Sequence, residues 1–191
     1  MEKYNLILSD PPWEQRKGGI RKCRPLQGRN LDYPTLPPLS GIKDIHARFM
    51  GHAQDDHLFF LWTIDKFLHK SERMMAELGY RLHARLIWNK LGGVAPCFSV
   101  RFSHEYLLFF YHGKFTPVAS GARGAITTVF EEKAGIHSRK PEISYRIIER
   151  LYPDTRKLEL FARRPRTGWD VWGNEVGSTV FLEKTGCHGG I

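Results

Sequence analysis

The sequence lacks most of what would tie a protein to a membrane, an oxidising compartment or a metal. No apolar run approaches the roughly 18 residues that a membrane-crossing helix requires, so no membrane partner is expected. The opening "MEKYNLIL" starts acidic and runs straight into an apolar stretch, which is not the plan of an export signal. Only three cysteines occur, Cys23, Cys97 and Cys187, an odd and scattered set that fits neither a disulfide framework nor a thiolate zinc site. The histidines show no ligand spacing, so no metal is expected. Internal repeats and low-complexity tracts are missing as well. These absences lead to the expectation of one domain in a reducing, cytoplasmic setting.

Acidic residues are also short, 20 against 29 Lys and Arg, which leaves a net charge of +9. A polyanionic partner follows as an expectation, and the distribution of charge sharpens it. "EQRKGGIRKCRPLQGRN" concentrates Arg16, Lys17, Arg21, Lys22, Arg24 and Arg29, and "FARRPR" forms a second cluster near the other end. Both follow apolar runs, where α/β proteins place their ligands. The apolar and aromatic fractions, 41% and 13%, are those of a globular domain.

Short apolar runs read as buried strands at 4–9, 57–62, 81–90, 104–113 and 157–162, with a last one over "GWDVWGNEV". Helical periodicity marks "IKDIHARF", "DKFLHKSERMMAELGY" with Gly79 as its stop, and "PEISYRIIERLY" with Pro141 in its first turn. Residues 114–137 are left without an assignment. Strands alternating with helices predict an α/β fold, a mainly parallel sheet with helices on both faces. A single catalytic domain over 1–176 is expected, with 14–41 as a long mobile substrate loop and 177–191 as a flexible tail.

The stretch "LILSDPPWEQ" concentrates the chemistry. A carboxylate just past a buried strand lines the ligand crevice of an open α/β sheet. Pro11 and Pro12 donate no backbone N–H and leave carbonyls free to accept, and Trp13 offers a face on which a flat base can stack. Asp10 and a proline carbonyl would together receive the two hydrogens of an exocyclic amine. Such acceptors orient the amine lone pair towards an electrophile and stabilise the charge that develops during alkylation. His104 and Glu105, as strand neighbours, point to opposite faces, so at most one of them reaches the crevice; Glu105 is the candidate for positioning a base.

"SDPPW" resembles the catalytic motif of the MT-A family of adenine N6-methyltransferases. The likeness extends to "YPTL" at 33–36, "LFFLW" at 58–62, "SHEYLLFFYHGK" at 103–114 and the whole of 137–176. It implies a Rossmann-like class I methyltransferase fold in permuted order, with the catalytic motif first and the cofactor segment last, and S-adenosylmethionine as cofactor. By resemblance Asp10, Pro11, Pro12 and Trp13 are catalytic. Asp10, Lys140, Phe161, Arg163, Asn174 and Glu175 would hold the cofactor, with Lys140 on its carboxylate and the last three on its ribose and adenine. Trp13, Arg16, Lys17, Arg21, Lys22, Tyr33 and Glu105 would meet the substrate, and Arg164 and Arg166 are candidates for phosphate. Some family members carry an Asp-containing cofactor segment ahead of the catalytic strand, and only nine residues precede Asp10 here, so a thinner adenine side is expected. Pro165-Arg166-Thr167 replaces the His-Asn of the RNA enzyme and matches the prokaryotic style. DNA is the expected substrate, its adenine flipped out of the duplex. RNA, a non-catalytic nucleic-acid-binding subunit and cytosine N4 remain alternatives, and a homodimer or partner subunit is open.

Overall fold

The computed structural model describes residues 3–13, 39–92, 100, 102–135 and 139–180. Within them the apolar runs become strands: β1 (Tyr4–Ser9), β2 (Ala53–Thr63), β3 (Arg81–Asn89), β4 (His104–His112), β5 (Val129–Glu131), β6 (Lys157–Leu160) and β7 (Trp169–Trp172). Three α-helices join them: α1 (Leu39–Met50), α2 (Leu68–Glu77) and α3 (Glu142–Leu151). All seven strands form one sheet in the order β5-β3-β4-β2-β1-β6-β7. Only β4 runs against its neighbours β2 and β3; the other pairings are parallel.

The order places the site. On one side of β1 lie β2, β4, β3 and β5 in that spatial order, with β4 inserted between β2 and β3, and the chain then returns to lay β6 on the opposite side of β1. Ser9 is the Cα partner of both Leu61 and Leu160. The gap past the carboxyl ends of β1 and β6 is therefore the topological switch point, where an open α/β sheet binds its ligand. Asp10 is the first residue beyond that edge, and its N–H donates to the Leu160 carbonyl at 3.4 Å.

Strand alternation divides the core into two layers. Ile7, Phe59, Leu61, Leu108, Phe110, Leu158 and Leu160 face α1 and α2, whose Ile42, Phe49, Met74 and Met75 pack on them. Leu6, Leu8, Phe60, Trp62, Trp88 and Phe109 face α3, which supplies Tyr145, Ile147, Ile148 and Leu151. Gly79, at φ +86°, closes the turn after α2 by donating to the Ala76 carbonyl.

The start of α3 bears directly on the site, because Lys140 lies two residues before it. Pro141 occupies its N-cap and offers no side-chain cap. Glu132, just beyond β5, takes over: its Oε1 and Oε2 accept the N–H groups of Glu142 and Ile143 at 2.8 and 2.9 Å. A carboxylate there also complements the helix dipole.

Three sequence expectations need adjusting. β5 lies inside the stretch left unassigned, since three residues are too few to show a period. Residues 39–41 belong to α1 rather than to the preceding loop, whose residues 14–38 lie outside the described ones. The tail does not loosen at 177: Thr179 N–H donates to the Val171 carbonyl at 2.9 Å and Val180 is buried in the core, while 181–191 lie outside the described residues. No helix among the described residues is long and apolar enough to cross a membrane.

Glu132→Ala removes both acceptors from the start of α3. It should cost about 1 kcal/mol, a fall in Tm of about 2–4 °C for a domain of this size, with Glu132→Gln in between. Thermal melts of the three proteins check this.

Candidate active site

The Asp-Pro-Pro-Trp segment leaves the sheet as a tight turn, with Trp13 N–H donating to the Pro11 carbonyl at 2.8 Å. Pro11 is thus partly occupied, and Pro12 is the one whose carbonyl has no backbone partner among the described residues. Trp13 is not the open stacking face that its residue type suggests. It is 6% exposed, lies against Phe67 at 5.2 Å and 18° between planes, and donates Nε1–H to the Trp62 carbonyl at 2.9 Å. The large apolar area of an indole favours burial, and Phe67 supplies the matching face. Trp13 therefore anchors the turn that carries Asp10.

Asp10 meets Lys140, whose Nζ lies 3.0 Å from Oδ1. The same ammonium donates to Glu105 Oε2 at 2.9 Å, and Glu105 Oε1 takes the ammonium of Lys90. A chain of alternating sign results, Lys90–Glu105–Lys140–Asp10, balanced in charge and only 13–20% exposed at its side chains. Lys140 and Lys90 also sit 5.2 Å above the rings of Trp62 and Trp88. Burial raises the Asp10 carboxyl above the ordinary carboxylate range, against the opposing pull of Lys140. Burial alone would lower Lys140, but Asp10 and Glu105 push it up to about 12. Glu105 is lowered, because Lys140 and Lys90 outweigh its burial. Lys140 accordingly stays a cation, and Asp10 accepts hydrogen bonds in a dry, charge-balanced setting.

The other wall of the crevice comes from the ends of β6 and β7. Phe161 turns the chain at φ +62°, a left-handed conformation that costs a bulky residue on the order of 1 kcal/mol and that clusters at functional sites. Its ring meets Trp172 and His46 edge-on at 5.4 and 6.3 Å. Gly173 lets the end of β7 approach: a Cβ there would overlap the Ala162 carbonyl oxygen. Asn174 and Glu175 follow, both exposed, and Glu175 Oε1 lies 3.6 Å from Arg163 Nε. An amide, a carboxylate and a guanidinium at the mouth of the switch point suit the hydroxyls and ring nitrogens of a nucleoside, and buried Lys140 suits a carboxylate. This donor set fits an amino-acid-bearing nucleoside such as S-adenosylmethionine.

A family model described as MT-A70 matches residues 4–175. The chain belongs to the MT-A70 family. Among relatives, the type II methyltransferase M.MunI of a Mycoplasma species is 26% identical over 189 residues, covering 92% of this chain and 78% of that protein. The N(6)-adenosine-methyltransferase MT-A70-like protein of Drosophila melanogaster is 29% identical over 185 residues, 91% of this chain and 27% of its own. The N(6)-adenosine-methyltransferase catalytic subunit METTL3 of Homo sapiens is 25% identical over 190 residues, 95% of this chain and 30% of its own. The chain thus spans most of M.MunI but less than a third of these eukaryotic relatives.

Within this MT-A70 fold, the structure gathers Asp10, Glu105 and Lys140 into one cluster and Phe161, Arg163, Asn174 and Glu175 along the facing edge. Arg16, Lys17, Arg21, Lys22 and Tyr33 lie outside the described residues. Lys140 contacts Asp10 and Glu105. One sequence expectation changes. The "FARRPR" cluster is not a free basic face: Arg164 pairs with Glu142, and Arg166 with both Glu142 and Glu149, while Trp169 Nε1–H donates to Glu149. These pairs lock the loop after β6 onto α3. No group of three or more potential metal ligands occurs among the described residues.

Sequence reasoning missed Lys90, Glu132 and Glu159. Glu159 carried the clearest signal, an acid inside the apolar run "KLEL". It is 6% exposed, lies beside Leu8 in the β1–β6 register, and accepts the Tyr145 hydroxyl at 2.7 Å. Burial raises its carboxyl to about 7, with Asp10 adding to the rise and the Tyr145 bond, Arg164 and Arg166 opposing it. Behind Asp10, Ser9 Oγ and His46 Nε2 lie 2.9 Å apart, and burial lowers His46 to about 3, so that imidazole is neutral.

The Glu159 carboxyl titrates near 4.5 when unfolded and near 7 when folded, so folding takes up a proton between these values. Stability should fall as pH rises through that window. Glu159→Gln keeps an oxygen for Tyr145 and removes the titration, so its Tm should exceed the parent's at pH 8 and approach it at pH 5. A higher parent Tm at pH 8 would refute this reading.

Proposed function

We propose that this MT-A70 protein transfers a methyl group from S-adenosylmethionine to the N6 amine of adenine in DNA. The observation that carries the reading is Asp10: a carboxylate just past the interior strand β1 at the switch point, charge-balanced by Lys140 and set on a turn that Trp13 locks. S-adenosylmethionine, when bound, supplies a methyl group on an electrophilic sulfonium. Asp10 Oδ and the Pro12 carbonyl accept the two amine hydrogens and turn the nitrogen lone pair towards the methyl carbon. As the C–N bond forms the methyl–sulfur bond would break, its electron pair leaving with sulfur as a neutral thioether, and the amine nitrogen becomes positive. The negative end of the Lys90–Glu105–Lys140–Asp10 chain stabilises that charge and then accepts or relays the departing proton. Lys140 is proposed to hold the cofactor carboxylate from its place between Asp10 and Glu105. Phe161, Arg163, Asn174 and Glu175 are proposed to line the nucleoside end.

DNA is favoured by the likeness to M.MunI, named a type II methyltransferase, and by the prokaryotic style of Pro165-Arg166-Thr167, while the Drosophila and human relatives are named N(6)-adenosine-methyltransferases. A base inside a duplex cannot reach Asp10, so the adenine is flipped out or already single-stranded. RNA is the second reading, supported by the names of those same relatives. Arg16, Lys17, Arg21, Lys22 and Tyr33 are proposed to clasp the strand.

The test is transfer of labelled methyl from S-adenosylmethionine to duplex DNA, single-stranded DNA and RNA, with digestion to nucleosides. N6-methyladenine in DNA, lost by at least about 10²-fold in Asp10→Asn, is the expected outcome. Label in cytosine, or in RNA alone, would overturn the reading. Arg21→Ala with Lys22→Ala should weaken binding to every DNA sequence and lower the salt slope of binding by nearly 2, measured by fluorescence anisotropy.

A further inference from the structure

Away from the crevice, a pocket of about 260 Å³ opens between α3 and the segment 125–130, lined by Ile126, Thr127, Phe130, Ile143, Arg146, Ile147 and Arg150 among others. No carboxylate lines it. Arg146 and Arg150 are exposed and lie one helical turn apart. The carboxylate at the usual i−4 position of Arg146 is Glu142, but Glu142 is held by Arg164 and Arg166. Glu149 is likewise taken by Arg166 and Trp169. The acids of α3 therefore face β7 and its basic pair faces β5. Neither Arg146 nor Arg150 has an ion-pair partner among the described residues. Two like charges at i and i+4 cost an isolated helix a few tenths of a kcal/mol, an arrangement that an anionic ligand would reverse.

The apolar floor is too covered to anchor a protein partner. Phe130 and Ile147 are 6% and 7% exposed, whereas a stable protein interface buries on the order of 1,000 Å² or more around an apolar centre. The accessible groups are the guanidiniums, fixed by a helix whose first turn starts beside the Asp10–Lys140 cluster. Arg146 and Arg150 lie about 6 Å apart along the axis, against about 3.4 Å of rise per nucleotide in one strand, so a single strand can present a phosphate to each.

We propose that this pocket is a second nucleic-acid contact, in which Arg146 and Arg150 hold backbone phosphates of the substrate strand and the aliphatic rim packs on its sugars. The proposal rests on the nucleic-acid reading above and adds a track along α3, leading away from the catalytic edge. Such contacts set affinity and register without reading sequence.

The experiment measures fluorescence anisotropy of labelled duplex and single-stranded DNA oligonucleotides over a salt series. It compares the parent with Arg146→Ala/Arg150→Ala and with Arg146→Gln/Arg150→Gln, which keeps helix-forming side chains without the charge; thermal melts confirm that each folds. The expected result is a salt slope smaller by nearly 2 in both double variants and a fall in affinity of at least tenfold at low salt. A parent that binds with an unchanged slope in the variants overturns this inference alone. A parent that binds no DNA at any salt overturns the substrate reading and this inference with it. Poly-L-glutamate is the second probe: binding that the variants lose while their oligonucleotide slope stays at the parent value would assign the pocket to an acidic protein and overturn the proposal.

Discussion

The rest of the site depends on one buried ammonium. Lys140 lies between Asp10 and Glu105, each within 3.0 Å, and so ties the catalytic turn to β4. An isolated charge at that depth would be costly, and a pair of opposite charges offsets the cost only with good geometry and satisfied hydrogen bonds. The chain solves this by extending the pair to four groups, with Lys90 completing the bonding of Glu105. Each member is held by a different element: Asp10 by the end of β1, Glu105 by β4, Lys90 by the residue after β3, and Lys140 by the approach to α3. The cluster therefore reports on the mutual placement of those elements, and a shift in any of them leaves a charge uncompensated.

Helix α3 is the frame that keeps Lys140 in register. Its first turn is capped by Glu132 from beyond β5, and its acids bind the arginines that follow β6. One helix thus connects both edges of the sheet to the centre. The same assignment of acids leaves Arg146 and Arg150 on the opposite flank. Charge that appears scattered in the chain is sorted by the fold into structural pairs on one side of α3 and, on the other, a basic pair with no ion-pair partner among the described residues.

Much of this was legible in the sequence because the strands are short apolar runs buried on both faces, and Asp10 follows the first of them directly. Gly79 and the periodicity of "PEISYRIIERLY" marked α2 and α3 for similar local reasons. What escaped depended on contacts distant in the chain. Trp13 reads as a platform until Phe67 is known to cover it. Arg164 and Arg166 read as phosphate ligands until Glu142 and Glu149 are seen beside them. Glu132 reads as a surface acid until its carboxylate is found at the start of a helix ten residues on. β5 is too short for any pattern to mark it.

The position of β1 inside the sheet, between β2 and β6, has a temporal consequence. β2 begins at Ala53, but the other flank of β1 is β6, which begins only at Lys157, and Arg156 N–H meets Asn5 Oδ1 across a separation of 151 residues. Synthesis at about 5–20 residues per second leaves that flank uncovered on the ribosome for roughly 8 to 30 seconds. During this interval an edge of the buried strand β1 is open to other chains, and Asp10 has no β6 wall beside it. Such long-range closure also slows folding. A nascent or truncated chain is thus both prone to self-association and without a complete crevice, so the last strands to emerge decide when catalytic competence begins.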